Sequence, residues 1–337
     1  MGKNRTRKQR RHRQKPNWSR RPPGRPKKKK WMPPRIGRPN YDKFRANEIG
    51  EVVKKVQTTV DDMRIHEKVP GQPGRPPAKR RDLIKSLLFL EDMKCNIQKS
   101  PSILPVWKDA LGIETIYAPR TLYKYRASPN MTEILKRLQT KSAEPLWMKE
   151  TRAITDATGN PRSKGKTWRC DKENPSKFRE YDKAHYIVGA ETLVIPYTKV
   201  TRGTWSDMAE FGSLVRETIP DSNIEAVLGD SGYPSVENFK LAKELGVTPY
   251  LKPKDNAVFR AHPSNDYEKG VYFANNFPKR WKNVYRYRVK VECAINAKKA
   301  AFGDIIRGGL RSSRRNQELC RDIVHNFRMA VMDSYAC

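Results

Sequence analysis

Three carboxylates in this sequence have the residue type and surroundings to do chemistry. Asp156 lies in "AITDATG", Asp230 in "VLGDSGY" and Glu292 in "YRYRVKVECAINAKK". Carboxylate oxygens are hard ligands suited to Mg²⁺ or Mn²⁺. Three of them are enough to hold two such ions about 4 Å apart, the arrangement that drives in-line attack on a phosphodiester. Gathered without a cation they would repel one another. Each acid also has a purely local reading. Asp156 and Asp230 suit turns, and Glu292 can pair with Arg288 one helical turn earlier. The chemical reading demands a fold that joins residues 74 and 62 positions apart.

The pattern after residue 147 supplies such a fold. Short apolar runs at 151–159, 184–191, 192–203 and 223–233 predict strands, and "VTPYLKPK" a fifth. The second and third read as a hairpin. Residues 205–219 predict an amphipathic helix capped by Ser206. Residues 235–246 predict another, with Ser235 at its start and Gly246 at its end. A Lys-rich, aromatic stretch over 255–283 reads as a connection. The helix carrying Glu292 and a last helix, about 314–332, follow. The order β-β-β-α-β-α-β-α matches the ribonuclease-H-like fold, a mixed five-stranded sheet with helices on both faces. In that fold the first and fourth strands are neighbours, so Asp156 and Asp230 would end adjacent strands and Glu292 would reach the same point from a helix.

Charge indicates the partner. The 337 residues carry a net charge of +34. Residues 1–40 hold 17 Lys or Arg and no acid, which leaves +17 for the rest. Such a tail buries too little apolar surface to offset its ordering entropy and reads as disordered when unbound. A chain this basic points to a polyanion. No apolar run approaches the roughly 20 residues of a membrane span, and the N-terminus lacks the apolar stretch of a secretory signal. The five cysteines are scattered without a CxxC and read as reduced thiols of a cytoplasmic protein. Nothing suggests a small-molecule substrate.

Between the tail and the sheet the spacing is helical, over 41–67, 80–94, 102–113, 118–129 and 131–139, broken by "VPGQPGRPP". Short helices with Pro-rich joints suit a small helix-turn-helix-like module, with Arg120, Lys124 and Arg126 on or near its third helix. A plain helical bundle with a basic face remains open. In the tail, Arg25 sits in "RRPPGRPKKKK", which is similar to an AT-hook, an extended Gly-Arg-Pro lying in a narrow minor groove. Phosphate binding without base readout is the alternative. The organisation expected is therefore a basic tail over 1–40, a helical DNA-binding domain over 41–145 and a catalytic domain over 146–337.

Tyr285, Arg288, Glu292 and Lys299 fit the pattern Y-x2-R-x3-E-x6-K, and "AITDATG" and "VLGDSGYPS" resemble the two Asp strands of the same proteins. Over roughly 74–333 the chain resembles the DDE transposases of bacterial and archaeal insertion sequences, the four/five superfamily. That resemblance implies Asp156, Asp230 and Glu292 as catalytic ligands of Mg²⁺ or Mn²⁺, with two ions expected. It implies Tyr285, Arg288 and Lys299 as grips on the phosphates of the element's end. It also implies cleavage at terminal inverted repeats, strand transfer to target DNA, and a homo-oligomer on DNA at the nucleoid. Two alternatives are an inactive DNA-binding descendant and a nuclease of the same fold. The family often has His-Asp-Ser where Trp205, Ser206 and Asp207 stand here.

Overall fold

Strands form where alternating side chains can be buried on two faces, and in this protein both faces of the sheet are covered. The computed structural model describes residues 37–66, 78–162 and 181–336. Five helices come first: α1 (Arg38–Asp61), α2 (Arg80–Asp92), α3 (Ser100–Trp107), α4 (Pro119–Arg126) and α5 (Pro129–Trp147). The sheet follows, as β1 (Arg152–Pro161), β2 (Tyr181–Gly189) and β3 (Tyr197–Arg202), then α6 (Asp207–Arg216), β4 (Ala226–Gly229), α7 (Val236–Glu244) and β5 (Thr248–Leu251). The chain ends with α8 (Asp266–Asn276), α9 (Pro278–Tyr285), α10 (Val289–Phe302) and α11 (Arg311–Ser334).

The strand order is β3-β2-β1-β4-β5, antiparallel across β3-β2-β1 and parallel across β1-β4-β5. This is the mixed sheet expected from the sequence. Alternation along β1 divides its side chains between two cores. Ala153 joins Ile187, Val227 and residues of α6 and α7 on one face, while Ile154 joins Tyr186, Leu228 and Val291, Ala294 and Ile295 of α10 on the other. A third core unites α1 to α4 with Leu319, Ile323, Phe327 and Val331 of α11. The last helix therefore returns to pack among the first ones.

Three sequence readings need correction. The stretch 255–283 is not a plain connection, because it contains α8 and α9. Their signals are present in the sequence: Asn265 accepts a bond from Glu268 N as an N-cap, and Pro278 opens α9. Asp156 does not end its strand. β1 runs on to Pro161 as the partner of β2, whereas its parallel pairing with β4 stops at Ile154. Ser206 precedes α6 but makes no side-chain cap bond. Ser235 does cap α7, accepting from Asn238 N, and Gly246 follows that helix at φ +76°, a conformation that disfavours other residues. Arg25 and its Gly-Arg-Pro triplet lie outside the described residues, whereas Arg38 and Pro39 open α1, so the helical part begins inside the stretch read as tail. Cys95, Cys293 and Cys320 are free thiols.

Candidate active site

Three elements meet where β1 outlasts β4. Asp156 is the second residue of β1 past the end of that parallel pairing, and it leaves the sheet on the face that α10 covers. Its backbone is held on the other side by the ladder to Tyr186 of β2. Asp230 follows β4 directly and turns the chain by accepting from Gly232 N at 2.8 Å. Glu292 lies in the first turn of α10. The helical run from α9 into α10, through a short 3₁₀ turn over Arg286–Arg288, points Arg288 at all of them.

The Arg288 guanidinium lies between the three acids. It stands 3.2 Å from Asp156 Oδ2, 3.9 Å from Asp230 Oδ2 and 2.6 Å from Glu292 Oε1. The local readings of the acids hold as well, since Glu292 does pair with Arg288 at i−4 and Asp230 does start a turn. They coexist with convergence. Three negative charges face one positive one, in a place where the Asp156 side chain is only 14% exposed. Burial, aided by the Asp230 and Glu292 charges and opposed by Arg288, pushes the Asp156 carboxyl up to about 6.

The remaining members of the motif flank this point. Lys299 donates to Thr158 Oγ1 at 2.8 Å, two residues beyond Asp156 on the same face of β1, and burial lowers its ammonium from the ordinary value. Tyr285 stacks on Trp281 with ring centroids 4.1 Å apart and planes 22° apart. Tyr233 is buried, and its hydroxyl has no hydrogen-bond partner among the described residues. Burial and the nearby Asp156, Asp207 and Asp230 push that phenol well up.

A second polar group beside the site was not found from sequence. Asp207 Oδ1 is ion-paired to Lys183 Nζ at 2.6 Å and lies 3.2 Å from His185 Nδ1, and His185 Nε2 meets Thr201 Oγ1 at 2.8 Å. These partners come from β2 and β3, and no local spacing links them to Asp207. The pairings hold the Asp207 carboxyl below its ordinary value despite burial. The resemblance drew attention to Trp205, Ser206 and Asp207 as a place without its usual histidine, and in space a histidine from β2 stands there.

In the helical layer, Arg120 and Lys124 of α4 are exposed. Arg126 is buried. It donates to Ser313 Oγ and to Arg307 O, tying α4 to the start of α11. No described helix is long and apolar enough to cross a membrane.

A β3-β2-β1-β4-β5 sheet with acids from β1, the end of β4 and α10 drawn to one point defines a ribonuclease-H-like domain of the DDE class. The family model for the transposase DDE domain matches residues 147–321, more than half of the chain, and the chain belongs to that family. Proteins of this class generally act on DNA with divalent metal ions. Neither curated proteins nor solved structures give a match.

Proposed function

We propose that this chain is the transposase of an insertion sequence of the four/five superfamily. It binds the element's terminal inverted repeats through residues 41–145 and the basic tail 1–40, and it cuts and joins DNA through residues 146–337. It works as a homo-oligomer, since two element ends must be held together, and it acts in the cytoplasm at the nucleoid. The observation that carries this reading is the meeting of Asp156, Asp230 and Glu292 at one guanidinium.

Asp156, Asp230 and Glu292 are the proposed ligands of Mg²⁺ or Mn²⁺, with two ions expected. Among the described residues no three Asp, Glu, His or Cys side chains are already grouped to hold an ion. Arg288 accounts for this, because it takes the central place. The donor set nonetheless fits a dication: three hard carboxylates, an excess of negative charge, and an orphaned Tyr233 hydroxyl beside them. When bound, the metal supplies Lewis-acid activation of the attacking oxygen and relief of charge on the leaving one.

The chain's own residues do the rest. Arg288 can exchange its carboxylate partners for phosphate oxygens, to which a guanidinium donates in pairs. Lys299 and Tyr285 lie on the same helical run, Lys299 bonded to Thr158 of β1 and Tyr285 close enough to feel the Asp230, Asp156 and Glu292 charges. Asp156 is kept rigid by the β1–β2 ladder and by Ala157 N, which donates to its Oδ1 at 2.9 Å. Arg120 and Lys124 are the proposed phosphate contacts of the helical part, and Arg25 those of the tail. Arg126, occupied inside the protein, is left out of that set.

The test is a supercoiled plasmid carrying the element's ends, incubated with Mg²⁺ or Mn²⁺. The wild-type chain should nick at the ends and join the freed 3′-OH to target DNA. Glu292→Gln should still bind the ends and lose cleavage by a factor of at least ~10². Cleavage without joining would identify a nuclease, and wild-type cleavage by Glu292→Gln would refute the assignment.

A further inference from the structure

The helix that carries Glu292 also carries a buried cation that the proposed chemistry does not use. Lys298 of α10 is 4% exposed. Its ammonium donates to Tyr186 Oη at 2.8 Å and to carboxylates of Glu318 and Asp322 on α11. It also lies 4.1 Å from the centroid of the Tyr186 ring, and Tyr186 Oη donates to Glu318. Tyr186, Glu318 and Asp322 are themselves buried. In the sheet Tyr186 is the β2 residue directly opposite Asp156 of β1. Opposed residues of an antiparallel pair leave the sheet on the same face. The network is therefore anchored one strand away from the first catalytic acid.

This placement matters because the rest of the α10 interface has little directional content. Val291, Ala294 and Ile295 cover the sheet with small apolar surface. Apolar contact is non-directional. A slip by one residue moves a helix about 1.5 Å and turns it about 100°, enough to carry Glu292 and Arg288 away from Asp156. The buried ammonium forbids the slip, since any such movement leaves two carboxylates and a cation unpaired in the interior. Lys299, bonded to Thr158, is the adjacent residue but is half-exposed and has one neutral partner.

We propose that Lys298, Tyr186, Glu318 and Asp322 are positioning residues that fix the rotation and axial position of α10 on β1 and β2, so that Glu292 and Arg288 meet Asp156 and Asp230. The proposal rests on the assignment of those acids as metal ligands. What the network sets is register, and it is required for the geometry of the metal site.

The experiment compares the full chain with the triple variant Lys298→Met, Glu318→Gln and Asp322→Asn, which removes all three charges at nearly constant volume. Replacing a buried ion group by neutral groups of similar size is often tolerated. Three quantities are measured: thermal unfolding, binding to DNA carrying the element's ends, and Mn²⁺ affinity by electron paramagnetic resonance in the absence of DNA. Single-turnover cleavage is the fourth. The expected result is a folded variant with unchanged DNA binding and Mn²⁺ affinity and cleavage both lowered about 10–100-fold, the usual size for loss of groups that orient metal ligands. Tyr186→Phe, which removes one hydroxyl, should lower the same two quantities by less, and it decides the matter if the triple variant does not fold. Wild-type Mn²⁺ affinity and cleavage in a folded variant would overturn the proposal. A wild-type chain that binds no Mn²⁺ would instead strike down the ligand assignment beneath it.

Discussion

Removing Arg288 should weaken the metal-free protein and make it more responsive to metal. Arg288→Met keeps the stem and deletes the guanidinium that separates three carboxylates. The Asp156 side chain is 14% exposed and that of Arg288 21%, so this pair is largely buried. Stripping one partner from a fully buried pair costs about 3–5 kcal/mol. Asp156 limits the loss by taking up a proton, because its carboxyl already sits at about 6 with Arg288 in place. Glu292 is 54% exposed, and an exposed i,i+4 pair contributes only about 0.3–0.5 kcal/mol. Asp230, at 3.9 Å and 40% exposed, adds little. The expected loss is about 2 kcal/mol near pH 7.5 in EDTA. With an unfolding entropy of about 2 cal/mol/K per residue, that is a drop in Tm of about 3 °C. A dication at 100 times its Kd returns about 2.7 kcal/mol. Mn²⁺ should therefore restore the variant fully and raise its Tm more than it raises the wild type, where metal must displace the guanidinium. Circular-dichroism melts in EDTA and across a Mn²⁺ series, without DNA, measure both effects. An unchanged Tm in EDTA, or equal Mn²⁺ increments in the two proteins, would refute the reasoning.

Other outcomes follow from the same structure. The Asp156 carboxyl is raised in the folded state, so the folded protein binds more protons than the unfolded one between about pH 4 and 6; metal-free stability should fall as pH rises through that window, and Asp156→Asn should remove the slope in urea titrations. Deleting residues 1–40 should weaken DNA binding and flatten its dependence on salt, because 17 cations no longer displace counterions; an unchanged salt slope would give the tail another role. At Gly189 an added Cβ would stand 2.4 Å from Glu150 Oε1. Glu150 cannot withdraw cheaply, being buried and accepting from Glu191 N, Thr192 N and Thr192 Oγ1, so Gly189→Ala should cost about 1–3 kcal/mol in chemical unfolding.

The sequence by itself determined the five strands, α6, α7 and the two last helices after residue 147, and it singled out three acids as candidates. Periodicity of 2 and 3.6 is local, and it marked every strand and the helices that cross between them. The capping residues did the same for α7, and Asn265 with Glu268 would have done so for α8 had the Lys-rich stretch not been read as a connection. Tertiary structure decided the rest, because it depends on partners far apart in the chain. Asp156 lies inside a strand because β1 is longer than β4, a difference in neighbours that β1's own residues do not encode. Arg288, which the resemblance had gripping phosphate, rests among the acids because the fold brings carboxylates from β1, the end of β4 and α10 to it. Arg126 looked like its exposed neighbours Arg120 and Lys124 and is buried because the last helix returns to cover it. Lys298 and Lys299 are adjacent in sequence and differ by one helical step of about 100°. That step sends one to Thr158 at the rim of the site and the other into the interior against Glu318 and Asp322, whose positions only the packing of α11 could fix.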